Sequence, residues 1–100
     1  MAKEQEKKTV KGKPVIVRTY SAGVHFGYLA KREGKEVHLT DSRRIWYWKG
    51  ANTLSEIALR GIGAGSKIAD RVSIVLTEAI EIIDCSKEAV KNLEAAEWQK

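Results

Sequence analysis

Ten consecutive positions, DSRRIWYWKG from Asp41 to Gly50, hold two of the three tryptophans, one of the three tyrosines and a pair of arginines. If this run is extended, its side chains alternate between two faces. Arg43, Ile45 and Tyr47 then point one way and Arg44, Trp46 and Trp48 the other, so each face carries one guanidinium beside an aromatic ring. A guanidinium keeps its charge at every physiological pH and forks onto phosphate oxygens, while an indole stacks on a base or a ribose. The same pattern also describes a strand whose tryptophans are core and whose arginines edge a solvated surface. Chemistry and packing make opposite demands here, because a ring buried in the core is not available to a ligand.

Other reactive groups are sparse. His25 and His38 are separated along the chain, with no cysteine or carboxylate at ligand spacing from either, so a metal site is not expected. His25 follows the small residues Ser21, Ala22 and Gly23 and is a candidate phosphate donor. No nucleophile elbow is present, and Glu78 and Glu81 read as solvated sheet-edge charges rather than a catalytic pair. The single Cys85 excludes an internal disulfide and reads as a small packed residue. The segment from Leu59 to Ala69 (LRGIGAGSKIA) approaches a helix-hairpin-helix, whose glycines show backbone amides to a DNA phosphate. Its spacing is too long, and its Gly65-Ser66-Lys67 ending is not that of a phosphate-binding P-loop. A connecting loop is the simpler reading.

The chain has 100 residues and a formal charge of +5, a length that supports one small domain. More than half of the charge excess sits in residues 1–13 (MAKEQEKKTVKGK), a lysine-rich stretch without aromatics that reads as a solvated basic tail. The domain proper is expected over residues 14–100, with local rather than general positive character. No apolar run reaches the roughly 18 residues of a membrane span and no signal-peptide pattern opens the chain. A cytoplasmic protein is expected.

The elements that must position the arginines and rings follow from periodicity. Pro14 to Tyr20 and Val24 to Arg32 alternate as strands, with Glu33-Gly34-Lys35 turning into a third strand that starts at Glu36, bends near Asp41-Ser42 and continues through the aromatic run. Thr53-Leu54-Ser55-Glu56 fits a capping box, opening a short helix with Leu54, Ile57 and Ala58 on its apolar side. Arg71 to Asp84 reads as one strand, bent at Glu78. Ser86 caps a last helix with Ala89, Val90, Leu93 and Ala96 along one side and Trp98 anchoring its end. The expected fold is α+β: a twisted antiparallel sheet of four to five strands with two helices.

Taken together, VRTYSAGVHFGYLAKREGKEVHL, RRIWYWKGANTLSEIALRG and the late EIIDCS resemble a small family of phage proteins that includes the first class of Thoeris anti-defence proteins. The most specific parts are Ser21-Ala22-Gly23-Val24 and Arg43 to Trp48 followed by Gly50-Ala51. The resemblance implies a sponge: a protein that captures a cyclic nucleotide messenger of bacterial immunity, a glycocyclic ADP-ribose or also a cyclic oligonucleotide, without cleaving it. It implies action in the cytoplasm of the infected cell, no cofactor, and a homo-oligomer, dimer or hexamer, with pockets between subunits. A compact phosphorylated ligand needs about two cationic side chains and one flat partner. Arg18, Arg43 and Arg44 are the phosphate candidates, with His25 and Arg71 beside them. Trp46 or Trp48 is the stacking candidate and Asn52 a base-edge or ribose donor. The alternative is a small DNA- or RNA-binding module that uses the aromatic strand and the glycine segment.

Overall fold

Two consecutive strands set the scaffold, and in the first of them neighbouring residues serve different cores. β1 (Pro14–Thr19) pairs antiparallel with β2 (Val24–Glu33), Ile16 opposite Phe26 and Val17 opposite His25. Ile16 faces the helices, whereas Val15 and Val17 belong to a second apolar cluster on the other side of the sheet. All three are fully buried. A β-branched residue at each position suits a strand covered on both faces. The computed structural model of the chain describes residues 12–51 and 53–96. Most of the expected basic tail and Trp98 lie outside these residues.

A two-residue turn, Gly34-Lys35, joins β2 to the long β3 (Glu36–Tyr47). Gly34 has a φ of 60°. With glycine at the first central position, such a turn matches the twist of its strands. β3 bends where the sequence predicts. Asp41 lies at a φ of 47° and the register shifts there against both neighbouring strands, which is a bulge. The bend lets one strand serve two partners along one edge. Val37 to Ser42 pair with β5 (Val72–Leu76), and Ile45 and Tyr47 pair with the two-residue β4 (Lys67–Ile68).

The segment from Arg71 to Asp84 is not one strand. It breaks at Thr77-Glu78 into β5 and β6 (Ala79–Asp84), and β6 pairs with β1. β5 and β6 thus sit on opposite sides of the β1–β2–β3 meander although two residues separate them, a geometry that requires the sheet to curl until its edges approach. Bonds from Tyr20 N to Glu78 O and from Ala79 N to Lys35 O, each 3.0 Å, hold this corner. The curl encloses Val15, Val17, Val37, Leu39 and Leu76 as the second cluster. The architecture is α+β, a six-stranded sheet with every described pairing antiparallel, rather than the four or five strands expected.

Two helices cover the other face. α1 (Leu54–Arg60) begins as the capping box requires, the Thr53 hydroxyl accepting from Glu56 N, and buries Ile57 and Ala58. α2 (Lys87–Ala95) is capped by Ser86, whose backbone N donates to Ala58 O at 2.8 Å, so the start of one helix is tied to the body of the other. No helix among the described residues is long and apolar enough to cross a membrane.

Gly61 ends α1 with a φ of 86°, a value that residues with a side chain rarely adopt. A Cβ there would also overlap the side-chain amide of Asn92. That amide in turn accepts from Ile62 N at 2.8 Å and donates to Ile62 O at 3.0 Å. Gly61→Ala is therefore expected to lower stability by about 2–3 kcal/mol in urea unfolding. Gly34→Asn, at a turn with open space around it, should change it little. Equal losses would show that the approach of Asn92 does not constrain Gly61.

Candidate functional site

The aromatic strand distributes its candidates over three environments. Arg43 is 1 % exposed and faces the helices. Its Nε donates to Ala69 O at 2.8 Å. Its Nη1 donates to Leu93 O at 2.8 Å and to Ala96 O at 2.6 Å. The guanidinium therefore caps the C-terminal turn of α2. The expectation that Arg43 holds a phosphate is thereby corrected: its charge compensates helix carbonyls inside the protein. Arg44, on the opposite face, is exposed and stands across from His25 in the pairing. Trp46, 52 % exposed, shares that face by alternation and is not core.

His25 is corrected as well. It is 1 % exposed, and its Nε2 donates to Ala22 O at 2.9 Å. Burial lowers its pKa and the nearby Arg44 charge lowers it further, against the carbonyl bond, which favours the protonated form. A neutral buried imidazole is poorly placed to meet a phosphate. Arg71 reaches back to α2, donating to Glu94 Oε1 at 2.9 Å and Glu94 O at 2.7 Å, while the same carboxylate accepts from Tyr28. The guanidinium, itself exposed, is thus engaged with the end of α2. Asn52 lies outside the described residues. Burial pushes the Cys85 thiol up to about 12, with Asp84 adding to the shift, so the group is an inert thiol near neutrality.

Arg18 and Trp48 are the two candidates that the fold brings together. They line a cleft of about 350 Å³ with Val24, Thr53, Leu54, Ser55 and Glu81. β1 supplies Arg18, which pairs with Val24 on one side and Glu81 on the other. The chain leaving β3 supplies Trp48, half-buried against the helix-side core, and the start of α1 supplies Thr53 and Ser55. The cleft thus offers a guanidinium, an indole held at one side by packing, two hydroxyl-bearing residues and a carboxylate. Arg18 Nη1 lies 3.7 Å from Glu81 Oε1, both side chains about half exposed. Such a solvated pair contributes about 0–1 kcal/mol, so a phosphate can displace the carboxylate at small cost.

Glu81, Thr53 and Ser55 escape the sequence reading as site residues, since no local pattern distinguishes them from surface polar groups. The cross-strand partnership of Arg18 and Glu81 depends on β6 returning to β1, which the reading of Arg71 to Asp84 as a single strand conceals. A larger, open trough of about 770 Å³ runs along α2 past Pro14, Cys85 and Val90, without an aromatic lining. Among the described residues no group of three or more His, Cys, Asp and Glu is placed to hold a metal ion.

Compared with known proteins, residues 12–93 match the family DUF6948, described as a domain of unknown function. No curated protein matches the chain. No solved structure matches it either.

Two measurements check these assignments. Arg43→Ala leaves one buried and two partly buried carbonyls without their donor and is expected to cost about 3–5 kcal/mol, while Arg44→Ala stays within about 0.5 kcal/mol. Similar losses for both would mean that Arg44 is also structural. For His25 the unfolded chain takes up its proton near pH 6.5 and the folded chain only at lower pH. Its contribution to stability is therefore complete above about pH 6.5 and declines as the pH falls. Wild type should lose more stability than His25→Gln between pH 7 and pH 5, and parallel curves would place the buried titration elsewhere.

Proposed function

We propose that this chain, which belongs to the DUF6948 family, is a binding protein that captures a small phosphorylated nucleotide in the Arg18–Trp48 cleft and holds it without turnover. The observation that carries this reading is the meeting, in one concavity, of a displaceable guanidinium and a packed indole. Arg18 takes a phosphate by paired N–H···O bonds in place of Glu81. Trp48 stacks on a base, worth about 1–3 kcal/mol by analogy with single-stranded nucleic acid. Thr53 and Ser55 offer hydroxyls for the sugar. The cleft encloses about 350 Å³. That is the small end of the range for small-molecule sites, room for the base and one phosphate of a larger ligand whose remainder stays at the open mouth.

With the resemblance to the first class of Thoeris anti-defence proteins, the ligand is a glycocyclic ADP-ribose. The chain then acts as a phage sponge in the cytoplasm of the infected cell, keeping the messenger from its immune effector. A second reading, binding of single-stranded nucleic acid, draws on the exposed Trp46, Tyr47 and Arg44. Lys49 Nζ adds a charge 5.9 Å from the centre of the Tyr47 ring. Trp46 with Arg44 on one face, and Tyr47 with Lys49 on the other, each pair a ring with a cation on which a base can stack. Salt separates the two readings. Contacts along a single strand weaken binding with a slope near −0.7 per phosphate, so a multi-phosphate contact is far steeper than one pocket for a small anion.

Micromolar protein incubated with glycocyclic ADP-ribose and then filtered should deplete the ligand, and heating should return it chemically intact. Arg18→Ala is expected to weaken capture by about tenfold or more, and Glu81→Gln to strengthen it by removing the competing carboxylate. Absence of depletion removes this reading, and recovery of a cleaved product makes the protein an enzyme.

A further inference from the structure

None of the residues of the glycine-rich segment after α1 lines the cleft, yet the segment is closed onto the chain beside Trp48. Gly63 N donates to Lys49 O at 2.7 Å, and Lys49 N donates to Ser66 Oγ at 2.8 Å. Both polar backbone groups of Lys49 are thus taken by this one segment. On the other side of the indole, Tyr47 is paired with Lys67 of β4. Trp48 belongs to no strand or helix itself, but it stands between two fixed points.

The glycines serve this closure. Ser66 N donates to Gly63 O at 3.3 Å around Ala64 and Gly65. Gly65 has a φ of 86°, the sign that the third position of a type II turn requires. That turn brings the Ser66 hydroxyl to Lys49. Gly63 meets the neighbouring chain backbone to backbone: a Cβ on it would lie 3.0 Å from Lys49 O and 3.3 Å from Gly50 Cα. The segment is itself anchored, since the Asn92 amide of α2 bonds both polar groups of Ile62.

We infer that residues 61–66 form a clasp that sets the place of the Trp48 indole at the cleft, with Gly63 and Ser66 as positioning residues. Its value to a ligand rests on the reading above, in which the base stacks on that indole. The two walls of the cleft come from different parts of the chain. Arg18, Val24 and Glu81 belong to the sheet, whereas Trp48, Thr53, Leu54 and Ser55 belong to the loop between Tyr47 and Lys67. The clasp closes that loop at its neck, so the spacing between guanidinium and ring depends on it. A wall fixed before the ligand arrives removes part of the ordering cost of binding.

The Trp46→Phe, Trp98→Phe chain keeps Trp48 as its one tryptophan, and its emission without nucleotide tests the clasp. Ser66→Ala and Gly63→Ala are each expected to shift that emission to the red and to raise its quenching by acrylamide. Ser66→Thr, which keeps the hydroxyl, should leave both as they were. With glycocyclic ADP-ribose as the probe, Ser66→Ala should weaken capture by about fivefold. In a Trp48→Leu chain the same substitution should cost nothing further, because it acts through the indole. Circular dichroism melts confirm that each variant is folded. Emission unmoved in both folded variants overturns the inference, as does capture by Ser66→Ala equal to that of wild type, or a loss of the same size with and without Trp48. If wild type itself captures no nucleotide, the reading of the cleft falls and the emission alone decides the clasp.

Discussion

The buried guanidinium of Arg43 is the constraint around which the helical side of the molecule is arranged. One side chain on β3 donates to the loop after β4 and to two carbonyls at the end of α2, all distant from it in sequence. A helix ends with carbonyls that its own backbone cannot satisfy, and an interior helix end requires a donor from elsewhere. Placing a permanent positive charge there also answers the negative end of the helix dipole. The charge itself is costly to bury, and desolvation pulls its pKa down, but arginine stays protonated and the carbonyls compensate it. The position of α2 over the sheet follows. Arg71 reinforces it from outside by gripping the carboxylate and carbonyl of Glu94.

With α2 in place, the sheet divides the protein into two cores that meet only through the strands. The helix-side core gathers Ile16, Phe26, Ile45, Ile57, Ala89 and Leu93. The other lies inside the curl, where Val15, Val17, Val37, Leu39 and Leu76 pack without a helix. The curl depends on the bend at Asp41 and on the two-residue passage from β5 to β6. Curling also leaves β6 at the end of the sheet, paired with β1 alone.

The cleft sits where the two structural themes join. Trp48 is steadied by the helix-side core, Arg18 and Glu81 face each other across β1 and β6, and α1 closes the mouth with Thr53 and Ser55. Its groups are held by elements rather than by long loops, which limits the ordering that a ligand must impose. The weak ion pair across it keeps the guanidinium oriented and exchangeable.

Local periodicity determined which segments are strands and which are helices, because alternation, capping residues and turn glycines act over a few neighbours. The α+β class, the hairpin at Gly34-Lys35, the bend at Asp41-Ser42 and both helix caps were legible for that reason. The chain also showed that the arginine pair would divide between two faces. It did not show which face is dry. Burial of Arg43 and His25, engagement of Arg71 with the end of α2, and exposure of Trp46 were decided by α2 and the curl, whose contacts join residues tens of positions apart. The split of Arg71 to Asp84 was hidden likewise, since a bent strand and two strands carry the same alternation. Only pairing across the sheet could bring Glu81 to Arg18, and a side chain's chemistry depends on what tertiary contact leaves open to solvent.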